Sequence, residues 1–170
     1  MSLSAPSGPD LAGVVEDANA VGLSYVVIGG FSVIAHGHVR ATRDSDLLVA
    51  DGPAGDEAIQ RFLERIDGVR MSDGARVGLD DIAAAHHLRV NSRHGIIDLL
   101  RSGEPPLDFE TVAGDAIEVE LEGQRAPFAS LRSLVGFKRL ADRSQDRADL
   151  EALERIHGRL PIDPIPGLDT

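Results

Sequence analysis

The sequence predicts a mixed α/β domain of the α+β kind, with a small mixed β-sheet flanked by helices and a helix at each end. Three observations predict it. Short strand-like runs at 24–28, which is rich in β-branched and aromatic residues, 44–50 and 95–100 alternate with stretches of helical spacing. Hydrophobic residues make up 42% of 170, enough for one proper core and too many for a disordered chain. No internal repeat and no long linker divides the chain.

Met1 to Pro9 is small, polar and proline-bearing, which predicts a loose tail over 1–9. The domain proper is expected over 10–160. Asp10 can cap a helix reaching about Val21, because Leu11, Val14, Val15, Ala18 and Val21 fall at helical spacing. Ser24 to Ile28 reads as a buried strand and Gly29-Gly30 as a turn. Phe31 to Ala35 follows as a short helix, closed by His36-Gly37-His38. Asp44 to Ala50 is a second strand, and Gly55 to Ile66 a second amphipathic helix. Asp80 to Ala85 predicts a helical turn. His87 to Asn91 and Gly95 to Leu100 predict two strands joined by Ser92-Arg93-His94. Ala116 to Leu121 alternates as an edge strand with Glu118, Glu120 and Glu122 toward solvent. Ser130 caps a helix running to about Arg143, Ser144 caps the next, and a proline-rich tail over 161–170 ends the fold.

Composition narrows the function. Cysteine is absent, so disulfides, thiolate metal sites and thiol chemistry are excluded. No apolar stretch approaches the roughly 20 residues that span a bilayer, and the start lacks the pattern of a secretory signal. A cytoplasmic protein without a membrane partner is expected. The charge, 17 basic minus 28 acidic residues, is -11. Such a surface repels phosphate backbones, so any polyanion must be gripped locally. Arg132 to Arg147 offers that grip, with five basic residues against two acidic ones.

The candidate chemistry begins on the second strand. Side chains alternate along a strand, so Asp44, Asp46 and Leu48 share a face. Carboxylates two residues apart, roughly 6.5–7 Å at Cα, can converge on one cation or bridge two. Asp98 sits within Ile96-Ile97-Asp98-Leu99-Leu100, where an unpaired buried carboxylate would be costly. A metal, an arginine or exposure at a cleft must compensate it. Gly29 and Gly30 permit close approach of the backbone to a ligand, the following helix start offers free N–H groups, and Ser32 adds a hydroxyl. Neither the dinucleotide-binding nor the Walker glycine pattern is present.

Arginine is the usual cation of the chain, with 16 copies against one lysine, Lys138. That lysine falls in an apolar arc formed by Leu131, Leu134, Val135, Phe137 and Ala141. It needs a carboxylate or a phosphate, or must reach a cleft. Asp146 and Asp149 lie near the stripe of Leu150, Leu153 and Ile156, as ligands, as partners of Lys138, or as acids favoured by the dipole of a helix start. Arg40 and Arg43 either neutralise a triphosphate or balance Asp44 and Asp46. His36, His38, His86 and His87 match no zinc spacing and read as ordinary loop or strand histidines.

The order strand, Gly29-Gly30, short helix, 13 residues, Asp44-x-Asp46, then Asp98 on a later strand resembles the polymerase-beta-like nucleotidyltransferase superfamily. The longer string Gly29-Gly30-Phe31, His36-Gly37, Arg40-Ala41-Thr42-Arg43-Asp44-Ser45-Asp46 looks like the toxin-type nucleotidyltransferases of abortive-infection and toxin–antitoxin systems. Ile97-Asp98-Leu99-Leu100, Asp108-Phe109-Glu110, Ala129-Ser130-Leu131, Lys138-Arg139, Arg143-Ser144-Gln145-Asp146 and Asp149-Leu150 extend the likeness, which runs from about Val21 to Leu153.

The resemblance implies a minimal nucleotidyltransferase fold and Mg²⁺-dependent transfer of an NMP group from NTP to an acceptor hydroxyl. Asp44, Asp46 and Asp98 would be catalytic and hold two Mg²⁺ ions. Gly29, Gly30, Ser32, Arg43, Lys138 and Asp146 would bind nucleotide. The acceptor is a tRNA end, a small molecule such as an antibiotic, or a protein, and an antitoxin partner is implied for the toxin type. A silent fold acting as a protein-binding module is the alternative. Two departures stand out: Ser45 occupies a usually apolar position between the acids, and the compact chain is closer in size to lincosamide or aminoglycoside nucleotidyltransferases.

Overall fold

The computed structural model describes residues 8–101 and 103–169, so residues 1–7 of the expected N-terminal tail lie outside it. In chain order the elements are α1 (Leu11–Ala20), β1 (Tyr25–Ile28), α2 (Gly29–Ala35), β2 (Asp44–Val49), α3 (Pro53–Arg65), β3 (Val69–Arg70) and α4 (Leu79–Ala84). They continue with β4 (His87–Ser92), β5 (Gly95–Arg101), α5 (Phe109–Gly114), β6 (Ile117–Leu121), β7 (Gln124–Phe128), α6 (Leu131–Ala141) and α7 (Ser144–His157). One mixed sheet, ordered β3-β4-β5-β2-β1-β7-β6, runs through the molecule. β2 pairs antiparallel with β1 and parallel with β5, and β7 joins β1 in parallel. The mixed α/β class is therefore observed, with β6 at an edge as its alternating glutamates predicted.

Helices cover both faces of the sheet. One core joins Leu11, Val14, Val15 and Ala18 of α1 and Ile59, Phe62 and Leu63 of α3 to Val27, Leu47, Val49, Ile97 and Leu99. The other joins Val33 of α2, Val112 of α5, Leu134 of α6 and Leu153 of α7 to Val26, Ile28 and Leu48. Neighbouring residues of β1 and β2 thus serve opposite cores, as pleat alternation requires. The consequence for β2 is decisive: Asp44 and Asp46 share the Leu48 face, under α2, α6 and α7. Ser45 faces the first core, where its hydroxyl is buried and has no hydrogen-bond partner among the described residues.

Local signals explain several boundaries. The Asp10 carboxylate accepts from Gly13 N at 3.0 Å, and Ser130 Oγ accepts from Ser133 N at 3.1 Å, so both predicted caps are in place. Ser144 is not a cap. It is the first residue of α7, and Asp146 reaches back to accept from Arg143 N at 3.1 Å. The glycine pair is not a turn before a helix either, because α2 starts at Gly29 itself. The segment after α7 is tied to α6 by the Arg132–Asp163 and Arg139–Asp169 ion pairs and by buried Ile165. No helix among the described residues is long and apolar enough to cross a membrane.

Candidate active site

Strand pairing assembles the three acids. Asp46 on β2 lies directly opposite Asp98 on β5, and Asp44 is two residues earlier on the same face. One carboxylate oxygen from each of Asp44, Asp46 and Asp98 lies within 4.8 Å of the other two. Across the sheet, Ile28 at the end of β1 is opposite Asp46, which brings Gly29 against that carboxylate. Gly29 has φ +68, and a Cβ there would overlap the Asp46 carboxylate oxygen. At Gly30 a Cβ would stand 2.7 Å from Thr42 Oγ1, so the chain before β2 packs tightly on the start of α2.

These groups open onto a cleft of about 780 Å³. The three acids, Gly29, Gly30, Arg43, Lys138 and Asp146 all line it. Ser32 does not line the cleft. It is fully buried, and its hydroxyl donates to Ala129 O at 3.4 Å. Because α2 begins at Gly29, Ser32 is already on the inward face of the first turns, which removes it from the expected phosphate cradle.

Charge is concentrated at the acids. Burial, reinforced by the charges of Asp44 and Asp98, pushes the Asp46 carboxyl up to about 7. Such a carboxyl has negative neighbours and too little positive charge in reach. Asp98 is better compensated: Arg89 Nη1 donates to its Oδ2 at 2.7 Å, and His87 Nε2 lies 2.6 Å from its Oδ1. Arg89 and His87 are the residues that sequence reasoning passed over. The signal was available in principle, since both sit at alternate positions on a strand neighbouring the one with the buried acid. The hairpin expected over 87–100 already set the two strands side by side; its register, which puts Arg89 opposite Asp98, was not read.

Lys138 is buried as its stripe predicted, but its ammonium is paired rather than free. It lies 2.8 Å from Asp146 Oδ1 and 2.9 Å from Asp149 Oδ2. Asp149 also receives both Nε and Nη2 of Arg40, at 2.8 and 2.9 Å. Burial raises the Asp146 and Asp149 carboxyls, but hydrogen bonds from Arg143 and Lys138, and from Arg40 and Lys138, outweigh it and hold both below the usual range. The basic surplus of 132–147 is likewise neutralised. Arg132 pairs with Asp163, Arg139 with Asp169, Arg143 with Asp146 and Arg147 with Asp142. The sequence window had hidden Asp163 and Asp169, which return from the chain end. Arg43 is exposed and has no ion-pair partner among the described residues.

The donor set suits a hard dication. It offers carboxylate oxygens only, no thiolate exists in the chain, and the raised Asp46 marks an excess of negative charge that a cation would relieve.

No protein-family model matches the sequence, and no curated protein matches it. Solved structures do. The antibiotic-resistance factor ANT(2'')-Ia is 13% identical, with a TM-score of 0.58 over 87% of this chain and 84% of that one. LnuA, a lincosamide antibiotic adenylyltransferase bound to lincomycin, is 18% identical, with a TM-score of 0.59 over 86% of this chain and 95% of its own. An antigenic nucleotidyltransferase-like protein from Paracoccidioides brasiliensis is 15% identical, with a TM-score of 0.53 over 85% of this chain and 73% of that one. At such identities the likeness concerns the backbone, and it shows that the chain has a nucleotidyltransferase-like fold.

Proposed function

We propose that the protein is a Mg²⁺-dependent nucleotidyltransferase that moves an NMP group from NTP to the hydroxyl of a small-molecule acceptor. The observation that carries this reading is the carboxylate triad of Asp44, Asp46 and Asp98, gathered on two paired strands beside the glycine start of α2. These three side chains would hold Mg²⁺, which when bound supplies Lewis acidity to the phosphoryl oxygens. Gly29 and Gly30 line the cleft, where the backbone without side chains lets phosphate oxygens approach closely. Arg43 carries the larger share of the triphosphate charge, because the charge of Lys138 is already balanced by Asp146 and Asp149. Asp98, oriented by Arg89 and His87, takes the acceptor hydroxyl proton as that oxygen attacks the α-phosphorus. The bond from that phosphorus to the bridging oxygen breaks, and pyrophosphate leaves.

A small acceptor is favoured over a tRNA end on two grounds. The chain carries -11, and every cation of the 132–147 patch is committed to an acid. An antibiotic of cationic character suits an acidic cleft, and ANT(2'')-Ia and LnuA are similar in fold. The toxin-type assignment, with its antitoxin partner, rests on the sequence motifs alone.

The test is release of pyrophosphate from labelled NTPs with a panel of aminoglycosides and lincosamides, with and without Mg²⁺. In parallel, cell extract incubated with labelled NTP is separated into RNA, protein and small-molecule fractions. Label confined to RNA or protein removes the small-acceptor reading. If Mg²⁺-NTP neither raises the melting temperature nor is consumed in any fraction, the fold is a silent binding module and the enzyme reading is lost.

A further inference from the structure

Arg89 stands on β4 directly opposite Asp98 of β5. A single nitrogen, Nη1, donates to Asp98 Oδ2 at 2.7 Å and to Asp44 Oδ2 at 3.2 Å. It therefore joins two of the three acids that stand within mutual reach of one ion. His87, two residues earlier on the same face, meets the remaining oxygen of Asp98 at 2.6 Å. Both oxygens of Asp98 are engaged, while among the described residues Asp46 receives no arginine.

Resting on the reading of the triad as a divalent-cation site, we propose that Arg89 is the positioning residue that sets the cation affinity of that site. Its guanidinium bridges Asp44 and Asp98, and it yields Asp44 when the dication enters while keeping hold of Asp98. Three features support this. The bond to Asp44 is the longer of the two, so it is the one given up more easily. The Arg89 side chain is 44% exposed on a flexible stem, so its head can shift without disturbing the core. Asp98 is nearly buried, and a buried carboxylate stripped of every cation would be strongly disfavoured. Arg89 thus keeps the empty site folded and competes with the ion that fills it.

The experiment is titration of the full chain with Mn²⁺, counting free ion by electron paramagnetic resonance, for wild type, Arg89→Gln and Arg89→Lys. Arg89→Gln should bind Mn²⁺ about tenfold more tightly, the scale of one charge-assisted hydrogen bond. Arg89→Lys, which keeps the competing charge, should stay within about threefold of wild type. Unchanged or weaker binding by Arg89→Gln, with wild type binding normally, overturns the role of Arg89 alone. Absence of Mn²⁺ binding by wild type overturns the metal-site reading and this inference together. Should Arg89→Gln fail to fold, the wild type still decides: the Nε–Hε resonance of Arg89 should move on saturation with Mg²⁺, and a signal that stays in place refutes the exchange.

Discussion

Gly29 and Asp46 are in such close apposition that the absence of a side chain on the first makes room for the carboxylate of the second. A Cβ built on Gly29 would overlap Asp46 Oδ2 and stand 2.8 Å from its Cγ. The strand register produces this, because Ile28 is opposite Asp46 and the chain turns into α2 at the next residue. With φ at +68, Gly29 also holds a backbone conformation that any other residue would strain to adopt. Fold and site meet in one pair of residues.

Gly29→Ala should therefore displace the Asp46 carboxylate and strain the start of α2. We expect NMP transfer to fall by at least about a hundredfold, the scale at which small misplacements of reacting groups act. Melting temperature should drop by only several degrees, because neither core cluster is touched. Steady-state rates and a thermal melt on one variant check both; near-wild-type turnover would show that Asp46 need not occupy its observed position.

Asp46 predicts an unusual pH dependence of the metal-free protein. Its carboxyl sits at about 7 in the fold against 3.8 for an ordinary aspartate, so the folded state binds the extra proton between those values. Stability from this group is full below the unfolded value and falls as pH rises toward 7, then levels off. The lowered acids Asp146 and Asp149 act in the opposite sense, losing their contribution only as pH falls below the usual carboxylate range, so the two windows are separate. In EDTA the melting temperature should decline from about pH 4.5 to 7.5, and Mg²⁺ should abolish the decline by favouring the ionised carboxyl. Asp46→Asn should melt higher than wild type at pH 7.5 without metal and should lose Mg²⁺-dependent NTP binding. Parallel pH curves for the two proteins would contradict the assignment.

Much of the candidate site's geometry was legible in the sequence because its residues lie where local rules operate. Period-two alternation placed Asp44 and Asp46 on one face, and the apolar run around Asp98 marked a carboxylate needing a partner. What failed was long-range. Asp163 and Asp169 neutralise Arg132 and Arg139 from the chain end, whereas Arg89 and His87 were missed within an expected hairpin because its register was not read. β3, with two residues, and β7, with Pro127 within it, lack a readable alternation and exist through their neighbours. The short helix α5 was missed for the same reason, since Val112 is its one buried residue. Ser32 was misplaced by a local error, the assumption that two glycines form a turn rather than the first residues of a helix.

Ser45 offers a test of the departure noted in the sequence. Its hydroxyl is buried on the face opposite the acids and has no partner among the described residues. A buried unsatisfied hydroxyl is disfavoured by about 1–3 kcal/mol. Ser45→Ala removes it while leaving a void no larger than the oxygen, so a gain of about 1 kcal/mol, roughly 2–4 °C in Tm, is expected. Activity should be unaltered, since the carboxylates point the other way. A lower Tm for the variant would mean that the hydroxyl is satisfied in solution, for instance by an internal water.

Lys138 decides between two expectations that helix periodicity left open, an ammonium reaching the cleft and a partner of Asp146 or Asp149 that ties two helices together. An ammonium on an apolar stripe, taken as unpaired, predicts that Lys138→Met leaves the fold intact or even steadies it. The structure instead places that ammonium between Asp146 and Asp149, both almost fully buried, as the one cation among the described residues that contacts the two. Removing it strands two carboxylates, each left with a single arginine, Arg143 for Asp146 and Arg40 for Asp149. Breaking a buried pair from one side costs about 3 kcal/mol or more, so Lys138→Met should lower Tm by roughly 10 °C. Lys138→Arg should also destabilise, because the planar fork does not fit the space of a compact ammonium. Triphosphate affinity should fall less than it does for Arg43→Ala, whose guanidinium has no competing acid among the described residues. A melting curve and an NTP titration on the three variants separate the roles. Should Lys138→Met keep its Tm and lose NTP binding outright, the lysine is a phosphate ligand first and the tie between α6 and α7 is incidental.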